Sequence, residues 1–203
     1  MSTLVVVAKE CLPGRVKTRL VPALSPEDAA EVAAASLAAT LEAAALVRAD
    51  RHLLYLDGRP PAGCGFDVLQ QPSGTLDVRL AALFETVHGR TLLIGMDTPQ
   101  VDPAVLAGVL EDASGVDAWF GPATDGGFWA LGLDAPAGTL LAGVPMSAPW
   151  TGAVQRARLV AAGLRIRDLP RLTDVDTIGT AREVAALLPG TRFACLVAER
   201  DAA

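Results

Sequence analysis

The run LVVVA, residues 4–8, leads directly into KECLPGRVKTRL, residues 9–20, and this join decides the fold class. Short, almost wholly apolar and β-branched runs suit strands covered on both faces, as in a parallel sheet between helices. Similar runs recur at His52–Leu56, Phe66–Leu69, Thr91–Ile94, Ala118–Phe120, Phe128–Leu133 and Arg165–Leu169. Longer Ala/Leu-rich segments with helix start and stop signals alternate with them. Ser25 before Pro26, Glu27 and Asp28 supplies an N-cap, a proline in the first turn and acids against the helix dipole, for a helix to about Val47. Leu76–His88 stops at Gly89, Asp102-Pro103 opens a helix to Ala113, and Thr151–Ala162 ends at Gly163. Thr180–Glu183 reads as a capping box for a last helix to Leu188. Strands alternating with helices predict an α/β fold: one domain over residues 1–203 with a doubly wound, mostly parallel sheet. Ligands of such sheets collect in the loops beyond the carboxyl ends of the strands.

Composition narrows the partners. The chain has 203 residues, is 51% hydrophobic and 20% charged, which gives a real core and excludes a disordered or collagen-like polymer. A net charge of −6 and only 4% aromatics argue against a protein that tracks a nucleic-acid backbone or stacks bases. Cys11, Cys64 and Cys195 show no paired spacing and His52 and His88 stand apart from them, so neither a disulfide framework nor a Cys/His zinc site is expected. MSTLVVVAKE lacks a basic leader and a cleavage site, and the alanine-rich stretch Val32–Val47 is too polar for a membrane span. A cytoplasmic protein is expected.

Four loops could carry chemistry. In the first, the turn at Pro13-Gly14 is crowded by Lys9, Arg15, Lys17 and Arg19, a local anomaly in an acidic chain. Such a loop is either a solvated basic turn or a cradle for a polyphosphate. Neither the dinucleotide nor the P-loop glycine fingerprint is present, so a Rossmann dehydrogenase is disfavoured. In IGMDTPQV, residues 94–101, Asp97 directly follows a buried strand; it either forms an Asx turn or meets a metal or a ribose. GPATDGGFWALGL, residues 121–133, is a strand, an acidic turn and a strand, with Gly126 and Gly127 permitting close backbone approach. LTDVDTIGTARE, residues 172–183, sets Asp174 and Asp176 before a helix, as dipole partners or as oxygen ligands for a hard cation. Trp119, Phe120 and Trp129 read as core residues, His52 as half-exposed, and His88 as a partner of a helix dipole. Cys11 lies among cations that could lower its pKa, yet no histidine lies near it in sequence to support thiol catalysis, so it reads as structural.

In this order the loops resemble the GT-A-type nucleotide-diphospho-sugar transferases, including the glycosyltransferases of arsenosugar biosynthesis. Lys9–Leu20 matches that family's basic K-T-R-L opening, Gly95–Pro99 its G-x-D-x-P, Pro122–Phe128 its P-A-x-D-G-G-Y, and Asp174–Thr177 its D-x-D-T. Cys11 and Phe128 depart from the family's proline and tyrosine, and Ser147–Thr151 matches its W-S-T element only loosely. Small-molecule guanylyltransferases share the fold and a similar opening. The resemblance implies that Lys9, Gly14, Arg15, Lys17 and Arg19 bind nucleotide phosphates and that Asp97 and Asp176 hold Mg²⁺ or Mn²⁺. It further places Gly126, Gly127 and Trp150 against the donor sugar or the acceptor. Asp97 and Asp125 are the expected catalytic residues, Asp125 as the base for an acceptor hydroxyl. The expected substrates are a nucleotide sugar, or alternatively a nucleoside triphosphate, with a small-molecule acceptor. A non-catalytic nucleotide-binding module is a third reading.

Overall fold

The computed structural model describes residues 1–21 and 23–201. β1 (Ser2–Lys9) contains the opening apolar run, and Leu4, Val5 and Val6 have no exposed surface. Then come α1 (Pro26–Ala45), β2 (Arg51–Asp57), β3 (Asp67–Gln70), α2 (Leu76–Thr86), β4 (Arg90–Gly95) and α3 (Pro103–Leu110). β5 (Ala118–Pro122) and β6 (Phe128–Leu133) form a hairpin, followed by α4 (Thr151–Ala161), β7 (Ile166–Asp168), α5 (Ile178–Ala186) and α6 (Arg192–Asp201). All seven strands join one sheet in the order β3-β2-β1-β4-β6-β5-β7. β1 pairs in parallel with β2 and β4, β2 with β3, and β5 with β7. The mostly parallel α/β architecture expected from the sequence is therefore present.

β6 is the exception, antiparallel to both β4 and β5. The loop between β5 and β6 is too short for the crossover that parallel pairing needs, so the chain must reverse. Reversal brings the amino end of β6 to the rim where β1, β4 and β5 end. The Asp125-Gly126-Gly127 turn consequently projects from the same edge as Lys9 and Gly95.

Alternation along β1 divides the core. Leu4 and Val6 pack with Leu54, Leu92 and Ile94 under Leu37 of α1 and Leu106 and Val109 of α3. Val5 faces the other way, with Leu53, Tyr55, Leu93 and Leu131 under Leu80, Leu83 and Phe84 of α2 and Leu159 of α4. A third cluster sets Val175, Ala181, Val184, Phe193 and Val197 against Leu20, Ala29 and Val32. It ties the carboxyl-terminal helices to α1 and to the end of the basic turn. Trp119, Phe120 and Trp129 are core residues, as expected.

Helix boundaries differ from expectation in two instructive places. The capping box lies one turn earlier, between Thr177 and Thr180: the Thr177 hydroxyl accepts the Thr180 N–H, and the Thr180 hydroxyl accepts the Thr177 N–H. A hydroxyl replaces the usual glutamate in the reciprocal bond, so the familiar pattern pointed to Thr180–Glu183 instead. Nor is α5 the last helix. After Pro189-Gly190 the Thr191 hydroxyl accepts the Ala194 N–H, and α6 follows with Phe193 and Val197 on its buried side. α1, α2 and α3 end two to three residues short of the expected Val47, His88 and Ala113. Among the described residues no helix is long and apolar enough to cross a membrane.

Candidate functional site

The basic turn is folded by its apolar residues. The Arg15 N–H donates to Leu12 O at 3.0 Å, and Gly14 takes the left-handed conformation with φ 70°. Val16 and Leu20 are then buried in different clusters and pin the segment at both ends. Lys17 between them also lies in the left-handed region, at φ 47°, which is uncommon for a residue with a long side chain. The compensation is electrostatic. The Nζ stands 2.7 Å from Asp97 Oδ2 and 3.8 Å from Asp176 Oδ1, and the Lys17 side chain is only 9% exposed. Arg19, two residues on and 66% exposed, pairs with the other oxygen of Asp176. That hydrogen bond and the carboxylate's charge raise the Arg19 pKa further above its usual value.

The acids come from three separate strand ends. Asp97 follows β4, and its carbonyl accepts the Val175 N–H at 2.8 Å, which latches residues 174–176 to the rim. Asp176 is set by the Thr180 hydroxyl, which accepts the Asp176 N–H at 3.0 Å. Asp125 sits on the β5–β6 turn, where its Oδ1 accepts the Gly127 N–H at 2.7 Å. Asp174 lies among them, with a buried Oδ1 that has no hydrogen-bond partner. Burial, reinforced by the charges of Asp97 and Asp125, pushes its pKa up to about 6. Trp129 helps place this segment from below, its Nε1–H donating to Pro170 O at 2.9 Å.

A cleft of about 780 Å³ opens over these groups. Lys9, Lys17, Arg19, Asp97, Asp125, Gly127 and Asp176 line it; Gly14, Arg15, Gly126 and Trp150 do not. Lys9 Nζ donates to Arg15 O at 3.3 Å, so the first lysine braces the turn. Gly126 acts as a fastener. At φ 91° it packs on Pro149, and its carbonyl accepts the Gly152 N–H at 2.8 Å. The turn is thereby held against the start of α4. Trp150 precedes that helix and is 57% exposed.

Sequence reasoning missed the opposite wall. Gln71 beyond β3 donates from Nε2 to Ala8 O and Tyr55 O, both at 2.9 Å, and its Oε1 accepts from Arg79 Nη1 at 2.8 Å. Arg79 also reaches Asp57, and both Gln71 and Arg79 line the cleft. A cation one residue before buried Leu80 on an otherwise ordinary helix was the available signal.

At Cys11 the neighbouring cations do not prevail. Burial outweighs the nearby lysines and drives the thiol pKa up to about 11. His52 is half-buried, with Nε2 2.9 Å from Val47 O, and exposed His88 follows the end of α2.

For a divalent cation the donor set is partial. Among the described residues, no three His, Cys, Asp or Glu side chains form a ready-made cluster. The donor chemistry nevertheless fits a hard cation: Asp97 and Asp176 converge on one ammonium, and Asp174 lines the same cleft with an unpartnered buried oxygen.

The mostly parallel sheet, reversed at one strand, has the nucleotide-diphospho-sugar transferase fold. A protein from Desulfovibrio desulfuricans G20, provisionally named a nucleotide-diphospho-sugar transferase, superposes with a TM-score of 0.87 at 23% identity, covering 99% of this chain and 95% of that one. CMP:2-keto-3-deoxy-manno-octonic acid synthetase, in complex with CTP, superposes at 0.59 with 13% identity over 92% and 98% of the two chains. Rv0371c from Mycobacterium tuberculosis H37Rv, in complex with manganese, gives 0.54 with 23% identity over 90% and 97%. The chain belongs to the bacterial family described as "Uncharacterized protein conserved in bacteria (DUF2064)", whose pattern matches residues 27–148. That span includes Asp97 and Asp125, while the basic turn and Asp176 flank it. No curated protein sequence matches the chain.

Proposed function

We propose that residues 1–203 form one transferase domain that uses a nucleotide donor, and that the donor is a nucleotide sugar. One observation carries this reading: a nearly buried lysine from the turn after β1 meets acids from two distant loops on the floor of one cleft. Cations beside carboxylates at a sheet's carboxyl rim suit a diphosphate with its counter-ion. Lys17 and Arg19 would bind the phosphate oxygens and take up the charge that develops as the bond to the anomeric carbon breaks. Asp97 and Asp176 would hold Mg²⁺ or Mn²⁺, which neutralises diphosphate charge when bound. Asp125 is oriented by the Gly127 N–H through Oδ1, and would accept the proton of the acceptor hydroxyl as its oxygen bonds to the anomeric carbon. The products are a glycosylated acceptor and a nucleoside diphosphate.

Nucleotidyl transfer is the second reading, favoured by the fold shared with a CTP-bound synthetase and by a third cation, Lys9, on the same cleft. Incubation with Mg²⁺ and panels of nucleotide sugars and nucleoside triphosphates, followed by phosphorus-31 NMR, separates the two. Release of nucleoside diphosphate supports glycosyl transfer; release of pyrophosphate selects the second reading. Failure of every nucleotide to bind would overturn both.

A further inference from the structure

Lys17 stands where a cation is wanted. Its ammonium bridges Asp97 and Asp176, the two carboxylates assigned above to a divalent metal, and Arg19 satisfies the second oxygen of Asp176. Both acids are thus already neutralised by the chain itself. Resting on the proposed function, we propose that Lys17 Nζ and the divalent cation are alternative partners of the Asp97–Asp176 pair, so that metal binds weakly alone and more tightly together with polyphosphate.

The physics follows from burial and charge. A dication arriving alone must displace a hydrogen-bonded ammonium that is only 9% exposed, then sit beside it with no anion to separate the two. Like-charge repulsion in a poorly hydrated site penalises that state. A polyphosphate changes the balance by giving the ammonium new oxygens, and a lysine's four-carbon stem lets it swing to them without moving the backbone. Val16 and Leu20 keep the backbone of the turn fixed meanwhile, since both are buried. Asp174 lines the same cleft with a buried, unpartnered Oδ1, which adds negative potential for an arriving cation. Free metal therefore binds weakly, in competition with the chain's own lysine.

Binding of Mn²⁺ alone, followed by loss of the free-ion paramagnetic resonance signal, tests this on wild type, Lys17→Met and Arg19→Met. Lys17→Met should bind Mn²⁺ at least about tenfold more tightly than wild type, whereas Arg19→Met, which removes the same charge from a more exposed position, should change affinity by less than about threefold. Equal affinity in wild type and Lys17→Met, or an equal gain in both variants, overturns the competition. A second measurement needs no variant. Acetylation of Lys17 by acetic anhydride, mapped by mass spectrometry on the wild-type chain, should rise severalfold when Mn²⁺ is added at saturating concentration without nucleotide. Unchanged or reduced labelling overturns the proposal. Absence of Mn²⁺ binding in all three proteins would remove the metal reading itself, which distinguishes that failure from failure of the competition alone.

Discussion

Gly126 lies so close to Pro149 that a Cβ on the glycine would fall 1.9 Å from the proline carbonyl oxygen. The contact joins the Asp125-Gly126-Gly127 turn to the segment entering α4, and the Gly152 N–H donating to Gly126 O completes the clasp. Two constraints meet at one residue, since φ is also 91°.

Gly126→Ala should therefore destabilise the protein by about 2–4 kcal/mol, combining a backbone clash with a left-handed conformation that alanine resists. Urea unfolding of the two proteins provides the comparison. A loss below about 0.5 kcal/mol would show that the clasp yields easily.

Asp97→Asn removes the charge facing Lys17 while keeping the shape. Metal-dependent nucleotide binding, measured calorimetrically with Mg²⁺, should be lost, and stability should fall by about 1–3 kcal/mol because a nearly buried ammonium loses its nearest carboxylate. Unchanged nucleotide affinity would take Asp97 out of the site.

Trp129→Phe probes how the core supports the cleft. The indole N–H donates to Pro170 O, four residues before Asp174. Losing that bond should cost about 1–2 kcal/mol and leave one carbonyl unpaired. Hydrogen exchange should then quicken over residues 170–176 more than over β1, and a uniform response along the chain would count against a specific anchor.

Cys11 should be a poor nucleophile at neutral pH. With its pKa driven to about 11 by burial, it stays a thiol, and iodoacetamide at pH 8 should label exposed Cys195 well before Cys11. The linkage has a definite sign. A folded-state pKa above the ordinary 9.0 gives stability that is complete below pH 9 and lost as pH rises towards 11. Cys11→Ser should flatten that alkaline limb of the stability profile. Fast alkylation of Cys11 at pH 8 would contradict the burial argument.

Much of this architecture was legible because it depends on local pattern. Apolar runs such as Leu4–Ala8 and Thr91–Ile94 declare doubly covered strands, and Ser25-Pro26 and Asp102-Pro103, each ahead of an apolar helical run, mark helix starts. The density of cations between Lys9 and Arg19 marked the loop that now supplies Lys17 and Arg19 to the cleft. Elsewhere the same reasoning stopped short. Arg15 and Gly14 are as suggestive in sequence as Lys17, yet they lie outside the cleft, because the turn carries them away from it while Lys9 before it and Lys17 and Arg19 after it line the walls. Arg79 and Gln71 gave no motif, since their meeting depends on β3 and α2 being brought to one wall.

The sequence alone marked the strands, the helices up to α5, the acidic turn between β5 and β6, and the charged loops, because those properties are set by neighbours a few positions apart. Only the tertiary structure decided that Lys17 faces Asp97 across 80 positions of chain, that Asp174 keeps a buried oxygen unpaired, and that burial overrides charge at Cys11. Such outcomes rest on distance and solvent exclusion, and both arise only when remote segments pack together.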